Sequence, residues 1–493
     1  MRDPHIVFSN SYARLPEQFF SRVLPTPVAQ PRLLLFNSAL AAELGMATTD
    51  LDPDALARIF SGNQLPEGAE PISAIYAGHQ FGGFSPQLGD GRAILLGEVI
   101  DVNGRRRDIQ LKGAGRTPYS RRGDGRAALG PVLREYIVSE AMHALGIPTT
   151  RALAAVATGE PVYREERLPG AVLTRVAASH IRVGTFQLFA SRGNTEAVRL
   201  LAAHVLERHY PDAKDSARPY HALLQEFARR HAQLVARWMS VGFIHGVMNT
   251  DNMAVSGETI DYGPCAFLEA YDPATVYSAI DEGGRYAYFN QPWAAQWNLA
   301  RFAETLIPII DADTKVASEL AQAVIDDFPR QFESEWLAAM RAKLGLMTAH
   351  EGDAALIGEL LDAMHAGAAD FTLTFRRLAH ALEGGQVDEG PRALFADASA
   401  FDAWATRWHQ RLRAEDRNPL ERAQFMRDHN PARIPRNHRV EQAIRAAVDA
   451  HDIEPTVALV RALAAPYAED PSLAPFTQPA SAGEQVTRTF CGT

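Results

Sequence analysis

The feature that most limits what this chain can fold into is a change of character near Thr185. From Ile72 to about Leu111 the sequence is rich in Gly and β-formers, and after Thr185 it turns to long amphipathic helices, notably over 194–210 and 220–241. Segregation of strands from helices along the chain predicts the α+β class rather than an alternating α/β one. It also predicts a small β-rich lobe with one helix, a helical lobe, and a cleft between them. Within the β-rich part, 93–100 reads as a strand and 101–104 (Asp-Val-Asn-Gly) as a hairpin turn whose Asn-Gly supplies positive φ angles. Residues 107–111 are then the returning strand, ending in Lys112-Gly113. Pro131 opens a helix at a favourable first-turn position, with Leu133, Tyr136, Ile137, Ala141 and Leu145 as its apolar stripe and Gly146 and Pro148 as its stop. Further strands are expected over 150–158 and 171–176. From Gln291 to about Ala465 nearly everything reads helical, followed by a Pro/Ser-rich tail to Cys491-Gly492-Thr493. The expected division is an N-terminal extension (1–70), a small lobe (71–183), the core of the helical lobe (184–290) and a helical C-terminal region with a Cys-containing tail (291–493).

Composition narrows the function classes. With 493 residues the chain is long enough for two or three ordinary domains or one large two-lobed enzyme with an added segment, and with nearly half of them apolar it is expected to be folded. A formal net charge of -10 gives a nucleic-acid-binding role little support. Locally, Arg105, Arg106, Arg107, Lys112, Arg116, Arg121, Arg122 and Arg126 crowd one stretch, which is either a solvated face or a polyanion site. The first residues carry no cationic region followed by an apolar run, and no stretch approaches the roughly 18 apolar residues of a membrane helix, so a cytoplasmic protein without membrane contact is expected. The two cysteines, Cys265 and Cys491, are too few for a disulfide scaffold.

Two constellations carry chemistry. A lysine ending a strand, Lys112, and a glutamate on the next helix, Glu135, can meet across the small lobe and aim the ammonium at phosphate oxygens. Either alone is an ordinary surface charge. The second begins at His245-Gly246-Val247-Met248-Asn249-Thr250-Asp251-Asn252 and reaches Asp261-Tyr262-Gly263. A short apolar strand is expected after Asn252 and a further strand before Asp261, so that Asn252 and Asp261 present two hard oxygens to one cleft, as Mg²⁺ prefers. Each string alone is an ordinary turn; the ordered series is more specific. Against the protein-kinase pattern, the position of the catalytic-loop Asp is Val247, which cannot accept a proton, and Asp251 is the nearest carboxylate that can.

At these residues the chain resembles the selenoprotein O family, pseudokinase-fold protein adenylyltransferases. The matching strings are Gly89-Asp90-Gly91-Arg92, the run from Gln110 through Lys112-Gly113-Ala114-Gly115-Arg116 to Arg121, Gly123-Asp124-Gly125-Arg126, Arg134-Glu135, Arg175, Arg182, the His245 to Asn252 string and Asp261-Tyr262-Gly263-Pro264. The resemblance implies a protein-kinase-like two-lobed fold and an ATP bound in inverted orientation, whose AMP passes to Ser, Thr or Tyr hydroxyls of protein substrates while pyrophosphate leaves. It further implies that Lys112, Arg175 and Arg182 hold phosphates and Glu135 orients Lys112. Gly89, Gly91, Arg92, Asp124 and Gly125 would border the nucleotide, Asn252 and Asp261 would hold Mg²⁺ or Mn²⁺, and Asp251 would accept the proton. The residue types agree: arginines are costly to bury unpaired, and a triphosphate tail gives both guanidiniums a bidentate partner. The bland alternative pairs them at the surface with acids such as Glu165 and Glu166.

Cys265 follows Asp261-Tyr262-Gly263-Pro264, and Cys491 stands where eukaryotic relatives carry selenocysteine, so the resemblance suggests a redox disulfide pinning the tail across the active-site loop; two unrelated thiols is the other reading. Rival functions are phosphoryl transfer with Asp251 as a displaced base, UMP transfer with Mn²⁺, and a catalytically silent nucleotide-binding redox scaffold.

Overall fold

The computed structural model describes residues 5–46, 52–382 and 390–490. Nine strands form one antiparallel sheet: β1 (Phe20–Arg22), β2 (Arg32–Phe36), β3 (Ile72–Gln80), β4 (Gly83–Gly89), β5 (Ala93–Ile100), β6 (Arg106–Lys112), β7 (Ala127–Ala128), β8 (Arg151–Tyr163) and β9 (Arg167–Ala177). Their order is β1-β3-β5-β6-β9-β8-β2, with β4 paired to β3 and β7 to β9. The α+β expectation holds, and the helices dominate the chain after β9.

The β5–β6 hairpin forms where expected, by a different turn. Of its residues only Gly104 has positive φ, at 76°. The Asp101 carboxylate accepts from the amides of Asn103 (2.9 Å) and Arg105 (2.8 Å), while Gly104 N donates to Asp101 O (2.9 Å) and Asp101 N to Arg105 O (2.8 Å). The aspartate thus caps a type I turn and only the glycine must be left-handed, so Asn103 does not share that conformation. Two other expectations are corrected. The strands expected on either side of Ser256-Gly257 shrink to single bridges, Arg182 with Ala254 and Thr149 with Thr259, because that turn leaves no run long enough for a ladder. The two-stranded pairing nearby is instead Phe243–Ile244 with Ala266–Phe267. Residues before 71 are also not simply appended: β1 and β2 are the two end strands of the sheet's order.

The helix Leu129–Ala144 lies under the sheet and begins two residues before Pro131. It is buried on both sides. Leu133, Tyr136 and Leu129 pack with Leu173 and Ala155 of the sheet, while Ile137 and Ala141 pack with Val440, Ala443, Leu459 and Leu463 of the helices Asn437–Asp449 and Glu454–Leu463. Arg134 forms an ion pair with Glu441 on the same contact. At about 1.5–3 kcal/mol for each fully buried large apolar side chain, this packing fixes the helix that carries Glu135. No helix among the described residues is long and apolar enough to cross a membrane.

Candidate active site

The side chains of one cleft come from both parts of the molecule. On β6 the period of two puts Gln110 and Lys112 on one face, and the register sets Gln110 directly opposite Arg175 of β9. Glu135 enters beneath them from its helix. Its two oxygens divide: Oε2 accepts from Lys112 Nζ at 2.5 Å and Oε1 from Arg175 Nε. Arg175 Nη2 then donates to Asp261 Oδ1 at 2.6 Å. Arg182, on the bend into the helix Val183–Ser191, donates through Nη1 to Asp261 Oδ2 and to the backbone oxygen of Asp251 (2.6 Å). Its guanidinium lies 5.0 Å over the Tyr76 ring and Nη2 is 3.7 Å from Asp90. Arg175 and Arg182 are 2% and 3% exposed, so the surface reading of these arginines is overturned. Asp261 itself has φ of 63°, a costly conformation for a non-glycine that this clamp of two arginines maintains.

Charge balance follows from these contacts. Burial would raise the Asp261 carboxyl, but Arg182 and Arg175 hold it well below its ordinary value. Glu135 is likewise lowered, Arg175 and Lys112 outweighing its burial. Burial, reinforced by Arg175, brings the Lys112 ammonium down to about 8 despite Glu135. Both guanidiniums are raised by their carboxylates, which overcome the cost of burial.

The other end of the cleft is built on the loop after Phe243–Ile244. His245 accepts at Nδ1 from Val247 N (3.3 Å) and reaches Ile260 O through Nε2 (2.9 Å), tying the loop to the residue before Asp261. Val247 is an apolar buried residue and offers no base. Asn252 donates through Nδ2 to Val247 O (2.9 Å), leaving its amide oxygen as the group available to a cation. Thr250 Oγ1 accepts from His79 N (2.7 Å) and donates to Gln187 (2.6 Å), and Phe81 N donates to Asn249 Oδ1 (3.1 Å). The β3–β4 turn is thereby stitched to the loop. Asp251 accepts at Oδ2 from Gln80 Nε2 (2.8 Å), while its buried Oδ1 has no hydrogen-bond partner. Burial pushes its carboxyl up to about 6, against the opposing effects of Gln80 and Arg182.

A cavity of about 860 Å³ joins these ends, lined by Lys112, Arg175, Arg182, Asp251, Asn252 and Asp261 together with Gly89, Gly91, Arg92, Asp124 and Gly125. Every expected nucleotide and metal residue faces it, and Glu135 stands behind. The glycines have a local reason. A Cβ on Gly125 (φ 71°) would fall 2.1 Å from Gly115, and one on Gly89 would fall 2.5 Å from the Tyr119 ring, so they allow the loop after Lys112 to fold against the β4–β5 turn. Asp124 is engaged by Arg164 through both oxygens (2.9 and 3.2 Å) and by the Arg126 amide (2.9 Å). The basic run divides: Arg116, Arg121, Arg122 and Arg126 line the cavity, whereas Arg106 and Arg107 pair with Glu98 and Asp101 away from it. Tyr76, Gln80, Gln110 and Arg164 are site residues that sequence reasoning missed; only the alternation of β6, which carries Gln110 with Lys112, could have revealed one of them.

Among the described residues no three His, Cys, Asp or Glu side chains converge as a metal cluster. Asn252 and Asp261 together still offer the two hard oxygens that suit a Mg²⁺ or Mn²⁺ completing its shell with phosphate and water. Cys265 is buried, and Cys491 lies outside the described residues.

Comparison with known proteins places the chain in one family. The family described as protein adenylyltransferase SelO matches residues 4–464. The chain is 63% identical over 487 residues to the protein nucleotidyltransferase YdiU of Agrobacterium fabrum, spanning 99% of both chains. It is 61% identical over 490 residues to the protein of the same name from Rhizobium rhizogenes, spanning 99% of this chain and 97% of that one. The similar protein of Rhizobium meliloti is 60% identical over 486 residues, 99% of each.

Proposed function

The chain belongs to the SelO family of protein adenylyltransferases, and from that premise we propose that its cleft moves AMP from ATP to Ser, Thr or Tyr hydroxyls of protein substrates. The sheet with its buried helix acts as the small lobe of a protein-kinase-like fold (71–183), the helical core (184–290) as the large lobe, and 291–493 as a brace. One observation carries the reading: Asp261, one of the two metal-ligand candidates, has both oxygens bound by Arg175 and Arg182, which are the phosphate-binding candidates. A metal–triphosphate complex offers each side its exchange partner. With such a complex bound, the guanidiniums would pass from carboxylate to phosphate oxygens, and Asp261 with Asn252 would hold the cation. Each guanidinium would keep an anionic partner in the swap, so neither arginine is stranded.

Lys112, positioned by Glu135, binds the same polyanion. A bound divalent cation supplies charge neutralisation on the phosphates and fixes their geometry. Asp251, which lines the cavity, takes the proton of the acceptor hydroxyl. The hydroxyl oxygen forms a bond to the α-phosphorus, the bond from that phosphorus to the bridging oxygen breaks, and pyrophosphate leaves with the electron pair. Near pH 7 a carboxyl at about 6 is ionised yet basic enough to act as general base. The test uses ATP labelled at the α- or γ-phosphorus, with Asp261→Ala beside the native protein. Protein labelled only from the α position, and not by the variant, supports the reading; label from the γ position makes the enzyme a kinase.

The Cys265–Cys491 disulfide belongs to the same proposal. Thr489, two residues before Cys491, donates through Oγ1 to Pro264 O at 2.6 Å and through N to Tyr277 O at 2.8 Å, which lays the tail beside Cys265. Oxidation by a disulfide such as glutathione disulfide would join the two sulfurs and place two electrons and two protons on the reduced oxidant. A cross-linked peptide in mass spectra of oxidised protein is expected; its absence, or an unchanged redox response in Cys491→Ser, removes the idea.

A further inference from the structure

Beside the Asp251 end of the cleft lies a cationic and aromatic surface that the chemistry above does not use. Arg285 is its centre. The guanidinium carbon sits 4.9 Å from the Trp293 ring and 4.7 Å from the Trp297 ring, and its Nε is buried without a hydrogen-bond partner. Among the described residues no carboxylate pairs with it. The nearby Asp281 spends its oxygens on the amides of Arg285 and Tyr286, at 2.9 and 2.8 Å. A second guanidinium, Arg301, lies 5.2 Å from the Trp297 ring and pairs with Glu304.

The surface is open and joined to the site. Trp293 is 49% exposed and Phe84 is 42% exposed. His79 lies between Phe84 (4.8 Å, tilted) and Trp297 (5.2 Å, edge-on), and its imidazolium is disfavoured by burial and by Arg301 and Arg285. His79 is followed directly by Gln80, which holds Asp251, and Phe81, which lines the cavity and packs on Tyr286 at 5.2 Å. An arginine held in an aromatic frame keeps its charge and loses little side-chain entropy when it binds an anion.

We propose that this surface docks the protein substrate, and that Arg285 selects segments carrying an Asp or Glu close to the acceptor hydroxyl. The aromatic rings would take the apolar atoms of the same segment. The proposal rests on the adenylyl-transfer reading only for the identity of the acceptor; the charge selection stands on Arg285 and its frame.

The test uses the full chain and three fluorescent peptides of equal length, each with a central hydroxyl residue flanked by Glu, Gln or Lys. Anisotropy titrations should show the Glu peptide binding about tenfold more tightly than the Gln peptide, with the preference shrinking in 0.5 M salt. Arg285→Met, which keeps the apolar stem, should abolish the preference; Arg285→Glu should reverse it toward the Lys peptide; Arg285→Lys should keep part of it. Thermal unfolding of each variant separates a lost contact from a lost fold. Equal affinity for the three peptides, no binding of any, or an unchanged preference in Arg285→Met overturns the proposal. The same peptides with α-labelled ATP keep the two readings apart: AMP transfer without charge preference sinks the docking surface alone, and Arg285-dependent binding without AMP transfer sinks the adenylyl-transfer reading alone.

Discussion

Asp251, buried, and Asp261, partly buried, are carboxylates at the same cleft, both touch Arg182, and they end in opposite states. Asp261 takes two guanidiniums on its two oxygens and is held well below the ordinary carboxyl range. Asp251 gives Arg182 only its backbone oxygen, receives one amide from Gln80, and rises to about 6. Removal from water raises both carboxyls; the difference lies in which atom meets the arginine. One end of the cleft is a saturated ionic clamp that must exchange partners to bind a ligand. The other is an under-satisfied group already poised to take a proton.

The largest break in this comparison is Asp261→Ala. AMP transfer should fall by about 10³-fold or more, because the variant loses a metal oxygen and leaves two buried arginines short of a partner. The same variant should lose stability, by about 3–5 kcal/mol in the limit of a broken buried pair, read as a lower midpoint of denaturant unfolding. At the other end, Asp251→Asn should cost about 10²-fold or more in turnover, the usual range for a general base. In the native protein, activity should rise with pH through about 6 as Asp251 loses its proton, and this limb should be missing from the Asn variant. Glu135→Gln acts behind the clamp. In the native protein activity should fall again as Lys112 loses its proton at about 8; in Glu135→Gln it loses the carboxylate that raises it, so this alkaline limb should move to lower pH while turnover drops about tenfold. Were the limb to stay in place, Lys112 would not be the group responsible for it.

The smallest effects concern stability. A carboxyl raised in the fold binds its proton more tightly than the unfolded chain does, so its charge destabilises the fold above about pH 6. Asp251→Asn should accordingly raise the melting temperature by roughly 1–3 °C at pH 7, stability gained where activity is lost. Lys343 provides the matching control away from the cleft. Its ammonium packs 4.4 Å from the Phe375 ring, and burial lowers it to about 7. Its cost is full below about pH 7 and is relieved as pH rises toward the unfolded value, so Lys343→Met should stabilise most at acidic pH, with activity untouched.

How far the sequence revealed this arrangement depends on range. Lys112, Glu135, Asp251, Asn252 and Asp261 were legible because each belongs to a short local string with its own pattern, and Lys112 ends a strand as expected; Glu135 meets Lys112, and the other three face the same cleft. The β5–β6 hairpin was legible for the same reason. Sharing of Asp261 by two arginines was not, since it depends on the β6–β9 register and on the left-handed backbone of Asp261. The strands expected around Ser256-Gly257 failed because apolar runs do not show how few residues will find a ladder partner. Gln80 was missed because its role comes from a turn that closes onto a loop some 170 positions later.

The helix Leu129–Ala144 is enclosed by the sheet on one side and the helices Asn437–Asp449 and Glu454–Leu463 on the other. Its amides should accordingly exchange with solvent only through global opening, whether or not nucleotide is bound. Such a helix cannot serve as a latch that swings to switch the enzyme on, because releasing it means taking apart the C-terminal brace. Ligand-dependent changes in amide protection should fall instead on the glycine-rich stretch after Lys112 and on the loop that carries Asp251.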